Sequence, residues 1–111
     1  MTGQFIYKAI CVSVYDGDSV TLDIDLGFNT WMRNQKIRLL GVDAPEIRGD
    51  ERAEGLVAAE KLRSLIVGKS ITLHSHRDKS GKYGRWLGTL FLGDLNVNQL
   101  LLDSGLAKPY P

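Results

Sequence analysis

The chain has 111 residues, enough for one buried core and too few for two domains, and its 43% hydrophobic and 24% charged content is that of an ordinary globular protein. A formal net charge of +1 excludes a general nucleic-acid coat or a polybasic membrane anchor, so attraction for any charged ligand must be local. The single cysteine, Cys11, excludes an internal disulfide and lies in an apolar run, where a buried inert thiol is expected. The N-terminal MTGQFIYKAI lacks a basic region followed by a continuous apolar one, and no stretch approaches membrane-spanning length. The chain as given is therefore expected to be soluble and cytoplasmic, or secreted if a leader has been removed.

Phe5 to Tyr15 is rich in Ile, Val, Phe and Tyr without a helical stripe and ends at Asp16-Gly17, which predicts a first strand closed by a hairpin turn. From Val20 to Leu26 apolar and polar residues alternate strictly, the pattern of a half-buried second strand. Asp18 shares parity with the buried set, which places its carboxylate at the mouth of the core. Gly27-Phe28-Asn29 forms the next turn, and Thr30 to Val42 is the predicted third strand. Ile47 to Arg52 is polar and contains Gly49, so it is expected to be an exposed loop. Its Arg48-Gly49-Asp50 matches an adhesion tripeptide, which in a chain without an export signal is expected to be accidental.

Leu56, Ala59, Leu62, Leu65 and Ile66 recur at three- and four-residue steps, which predicts an amphipathic helix ended by Gly68. Ser70 to Arg77 is a fourth strand with His74 and His76 on one face. Without an adjoining Cys or carboxylate cluster, these two are expected to be solvated and not metal ligands. Tyr83 to Leu92 is a fifth strand with Arg85 on the face of Tyr83. Val97 to Ser104 is a short helix with Gly105 after it, and LAKPYP an extended tail. The expected architecture is a single domain over residues 1–111 of α+β type: an all-β, five-stranded OB-fold barrel with a helix between strands three and four and a short C-terminal helix. A generic α+β sheet domain would have nearly the same order of elements.

The chain is organised around Ile37 to Glu46, IRLLGVDAPE. Ile37, Leu39, Leu40 and Val42 can anchor a buried strand, and Pro45, with no N–H to donate, stops it. Arg38, Asp43 and Glu46 are thereby held at a strand end, where a rigid scaffold can present charge to a ligand. Arg38 and Asp43 are five apart and would face opposite ways on a straight strand, so the chain must bend, most simply at Gly41. With Asp16, Asp18, Lys82, Tyr83 and Arg85 they form a set of strand-end polar residues. Carboxylates with other oxygen donors suit a hard cation such as Ca²⁺, and two arginines offer planar forks to a phosphate. Each carboxylate also has a plain alternative as turn chemistry or a solvated strand end.

DGDSV at 16–20, IRLLGVDAPE at 37–46, KYGRWLGTLFL at 82–92 and VNQLLLDSGLAK at 97–108, in that order, resemble the staphylococcal nuclease family from about residue 12 to residue 108. The resemblance implies a calcium-dependent phosphodiesterase on an OB-fold, cleaving single- and double-stranded DNA and RNA with low sequence preference and leaving 3′-phosphate ends. It implies a monomer with no membrane partner. Asp18 and Asp43 match the calcium-binding carboxylates, Ala44 a backbone-carbonyl ligand where the family often has Thr, and Asp16 a supporting acidic residue. Arg38 and Arg85 match the catalytic arginines, Glu46 the general base, and Lys82 and Tyr83 the contacts to a substrate phosphate. The chain ends at Pro111, where the best-known member goes on to a third helix, and Tyr110 stands one place from a substrate-contacting tyrosine and is not assigned that role. The alternative is a catalytically inactive OB-fold module that binds nucleic acid or a protein partner.

Overall fold

The computed structural model describes residues 5–77 and 86–110. Five strands form the barrel: β1 (Phe5–Asp16), β2 (Ser19–Asp25), β3 (Trp31–Leu39), β5 (Ser70–Arg77) and β6 (Trp86–Leu92). Neighbours run antiparallel in the order β3-β2-β1-β5-β6, and a parallel seam between β3 and β6 closes the ring, with Ile37 opposite Trp86 and Arg38 opposite Leu87. Helix α1 (Arg52–Ile66) lies between the third and fourth barrel strands, as expected, and α2 (Val97–Asp103) follows a short strand β7 (Leu95–Asn96). The barrel is the predicted OB-fold.

Alternation in β2 translates directly into burial: Val20, Leu22 and Ile24 point into the core while Thr21 and Asp23 do not. They meet Ile37 and Leu39 of β3, Leu73 of β5, Leu90 of β6, Leu62 and Ile66 of α1, and Val97 and Leu101 of α2. Each such leucine, fully buried, contributes about 2–3 kcal/mol relative to remaining in water.

Four expectations are corrected in detail. The predicted third strand stops at Leu39; Leu40 and Gly41 turn, Gly41 with φ +75°, and Val42–Asp43 forms a separate strand, β4. The terminal LAKPYP is not a free tail, because Lys108–Pro109 forms β8 and pairs antiparallel with β4, Val42 facing Pro109 and Asp43 facing Lys108. The first hairpin turn is Gly17-Asp18, one residue later than expected, with Asp16 paired to Ser19. The buried face of α1 is Gly55, Ala58, Ala59, Leu62 and Ile66, leaving Leu56 45% exposed. The cause is close approach: a Cβ on Gly55 would collide with the backbone of Pro45 and Glu46, and Ala58 lies against Gly17, so the helix turns small residues toward the chain that crosses it. The loop before α1 carries a 3₁₀ turn at Gly49–Glu51; Arg48 to Arg52 are exposed as expected, whereas Ile47 is partly buried against the core.

The C-terminal end of α1 is fixed to β1, where Gly68 N–H donates to Cys11 O at 2.8 Å and Arg63 Nη2 to Val14 O at 3.2 Å. Cys11 is 1% exposed, and burial pushes its thiol up to about 11, in keeping with an inert core cysteine.

Candidate active site

The site is built at one mouth of the barrel from three short pieces of chain. The first is the Gly17-Asp18 turn. Gly17 packs so tightly under the site that an added Cβ would lie 2.6 Å from Ala44 Cβ and 2.9 Å from Ala58 Cβ, which draws the turn against both the 43–46 segment and α1. The second is the end of β3 with Arg38, and the third is β4 with the 44–46 segment beyond it. Between them they line an open cleft of about 580 Å³ that includes Asp16, Asp18, Lys36, Arg38, Asp43, Ala44 and Glu46. Five residues singled out for chemistry, together with Ala44, thus face one space.

Asp18 is the fixed point of the cleft. It is 6% exposed; its Oδ2 accepts from the Ala44 N–H at 3.0 Å and lies 3.5 Å from Arg38 Nη1, while its Oδ1 accepts from Ser19 Oγ at 3.2 Å. Its backbone is tied as well, its carbonyl accepting from Leu39 N–H at 2.8 Å. A buried carboxylate is tolerated only when paired and hydrogen-bonded, and Asp18 has both. Arg38 spends its second terminal nitrogen on β4, Nη2 donating to Val42 O at 3.0 Å. The bend at Gly41 brings that carbonyl back to the arginine, so Arg38 and Asp43 border one cleft although their spacing on a straight strand would separate them.

Asp16 sits behind Asp18 and accepts from its backbone N–H at 3.1 Å. Its carboxyl is pushed up to about 6, first by burial and then by the hydrogen bond and charge of Asp18 beside it. Asp43 and Glu46 are different: both are exposed, and neither side chain has a hydrogen bond or ion pair among the described residues. Glu46 is steered through its main chain, whose N–H donates to Glu51 Oε1 at 3.2 Å.

Asp18 lies close enough to Asp16 for its hydrogen bond and charge to oppose the ionisation of Asp16, a repulsion that a divalent cation relieves, and every donor in reach is an oxygen, the preference of Ca²⁺. The set fits such an ion in chemistry. Among the described residues no group of three His, Cys, Asp or Glu stands close enough to form a cage, so the Ala44 carbonyl, water and a ligand oxygen would have to complete the shell. His74 and His76 join no such group either; the His74 ring packs on Phe91 at 4.6 Å. Lys82, Tyr83 and Arg85 lie outside the described residues. Arg48, of the adhesion-like tripeptide, donates to the Tyr15 hydroxyl at 2.9 Å.

Two contributors escaped the reading of the sequence. Asn98 is 5% exposed; its amide donates to Leu40 O and Gly88 O, each at 3.0 Å, and its carbonyl oxygen accepts from Leu90 N–H at 3.0 Å, pinning α2 to β6 and to the chain just after β3. Its signal was available, since Asn98 and Leu101 share a helical face and a polar residue there must find partners. The other is Tyr110, whose ring covers the Arg38 guanidinium with 4.7 Å from Cζ to the ring centroid. No local pattern foretells it, because it depends on pairing between β4 and β8.

A small OB-fold barrel with a buried aspartate, an oriented arginine and further carboxylates in one cleft at its mouth defines a class of ligand-facing domain. A model of the family described as staphylococcal nuclease homologue matches residues 36–111, and the chain belongs to that family. It is 35% identical over 104 residues to an "Uncharacterized endonuclease" of Escherichia coli O157:H7, covering 89% of this chain and 58% of that protein. It is 31% identical over 98 residues to a "Thermonuclease" of Staphylococcus intermedius, covering 86% and 55%. The chain spans just over half the length of these relatives. No helix among the described residues is long and apolar enough to cross a membrane.

Proposed function

We propose that this domain is a nuclease: a calcium-dependent phosphodiesterase that, as a monomer, cleaves single- and double-stranded DNA and RNA with low sequence preference and leaves 3′-phosphate ends. The observation that carries this reading is the Arg38 guanidinium, held by Asp18 and Val42 O in the same cleft as Asp16, Asp43 and Glu46. A guanidinium has five N–H donors, and with two directed at those partners three are left for phosphate oxygens. Preorganised donors of this kind act most strongly where charge develops in the transition state, at about 3–4 kcal/mol each.

Asp18 and Asp43, supported by Asp16 and the Ala44 carbonyl, would hold the Ca²⁺, which when bound supplies Lewis-acid charge to a phosphate oxygen. Glu46, exposed at the rim, takes a proton from the attacking water, a role worth roughly 10²–10⁴-fold. The new water oxygen–phosphorus bond forms as the bond from phosphorus to the 5′ oxygen breaks; that oxygen takes a proton from solvent water, Glu46 returns its own to solvent, and phosphate stays on the 3′ side. Arg38 bonds the equatorial oxygens as their charge grows. Arg85 is proposed as the second such arginine, with Lys82 and Tyr83 contacting a substrate phosphate.

The decisive experiment is incubation of single-stranded DNA with the protein and Ca²⁺, with and without EDTA. Cleavage that EDTA abolishes is expected, and calorimetry should show weaker Ca²⁺ binding in Asp18→Ala and Asp43→Ala. Binding without cleavage at any protein concentration would replace the enzyme with an inactive nucleic-acid-binding module.

A further inference from the structure

Arg38 is confined from three directions, and the third is the C-terminal segment. Gly41 marks the bend after β3, and its carbonyl accepts from Tyr110 N–H at 2.9 Å. That bond continues the β4–β8 ladder by one residue and sets Tyr110 beside the arginine, its ring over the guanidinium at 4.7 Å. The edge of the guanidinium is meanwhile engaged by Val42 O at 3.0 Å and Asp18 Oδ2 at 3.5 Å. Two in-plane contacts leave the group free to rock out of its plane, and a ring against one face opposes that motion. Tyr110 is itself 55% exposed, so burial does not explain its placement.

We infer that Tyr110 is a positioning residue for Arg38: the C-terminal segment 108–110 acts as a strap that lays an aromatic ring on the guanidinium and holds it in the orientation that meets phosphate. Its benefit to turnover rests on the nuclease reading above; its hold on the arginine does not. The interaction needs a π face and not a hydroxyl, so Tyr110→Phe preserves it and Tyr110→Leu, which keeps apolar bulk and the backbone bond to Gly41, removes it.

The test combines kinetics on single-stranded DNA with NMR of the arginine side chains, Arg38 being assigned from the signal missing in Arg38→Lys. Tyr110→Leu is expected to lower kcat roughly two- to fivefold, the size of a partly exposed cation–π contact, with KM unchanged. Guanidinium rotation at Arg38 should quicken and its ring-current shift vanish, while Tyr110→Phe matches the wild type in all respects. Unchanged Arg38 signals in Tyr110→Leu would overturn the inference. So would a rise in kcat, which would make the ring a block, or a change confined to KM, which would make it a direct substrate contact. If the wild type cleaves nothing, the nuclease reading fails and the NMR arm still decides whether the ring fixes the arginine.

Discussion

The inner and outer parts of the cleft are built by different means. Asp18 and Arg38 are tied to backbone and side chains on several sides, whereas Asp43 and Glu46 stand on the exposed 43–46 segment without side-chain bonds among the described residues. A residue held this way has two duties, since the bonds that orient it also join the Gly17-Asp18 turn, β3 and β4. A residue held only by its backbone has one. The two parts should therefore separate when stability and activity are measured together.

The largest effect is expected at Asp18. Asp18→Ala leaves Arg38 without its counter-charge in a largely buried position and the Ala44 N–H without its acceptor, for a loss of about 3–5 kcal/mol of stability together with all measurable cleavage. Denaturant melts check the first part, and a midpoint equal to wild type would show that the inner part is not structural. Next is Arg38→Lys. Lysine keeps the charge but gives up the planar fork, so it cannot serve Val42 O, Asp18 and a phosphate at once. We expect kcat to fall by roughly 10²–10³-fold, the value of one preorganised donor, with a modest drop in Tm. Near-wild-type single-turnover rates would reduce this arginine to electrostatic attraction.

Glu46→Gln tests the outer part. Its carboxylate makes no hydrogen bond or ion pair among the described residues, so the melt should match the wild type within about 0.5 kcal/mol, as for surface substitutions generally, while kcat drops by at least about 10²-fold. Loss of stability in step with activity would erase the distinction between the two parts.

Much of this arrangement was legible in the sequence because it depends on local pattern. Alternation from Val20 to Ile24 gave β2 and its buried face, although Leu26, the last apolar residue of that pattern, lies beyond β2 and is exposed; the parity of Asp18 placed it at the core's mouth, and the spacing of Arg38 and Asp43 demanded the bend found at Gly41. What escaped is non-local or steric. β4 and β8 have two residues each and no periodicity to detect; they exist because the C-terminal segment returns to lie along the chain just after β3. The face of α1 was misjudged because leucines were counted and Gly55 was not, although the close approach to residues 45–46 admits only the glycine. Tyr110 depends on the pairing of β4 with β8 and so could not be placed.

The smallest effect expected concerns the rear of the inner part, where Asp16 shares space with Asp18. Its carboxyl is pushed up to about 6 from an ordinary 3.8, by burial first and by Asp18 second. Ionising Asp16 therefore costs more in the folded protein than in the unfolded chain. Its contribution to stability is complete below about pH 4, fades as pH rises through 6, and is absent above that. Asp16→Asn cannot ionise and keeps a donor or acceptor in the same place. In EDTA, the Tm of Asp16→Asn relative to wild type should climb between pH 4 and pH 6 and level off beyond. Added Ca²⁺ at pH 7 should raise the wild type more than the variant, since the ion offsets a repulsion that only the wild type has. Parallel melting curves across this pH range would show that the two carboxylates do not oppose each other, and would remove the repulsion from the reasons for placing a cation there.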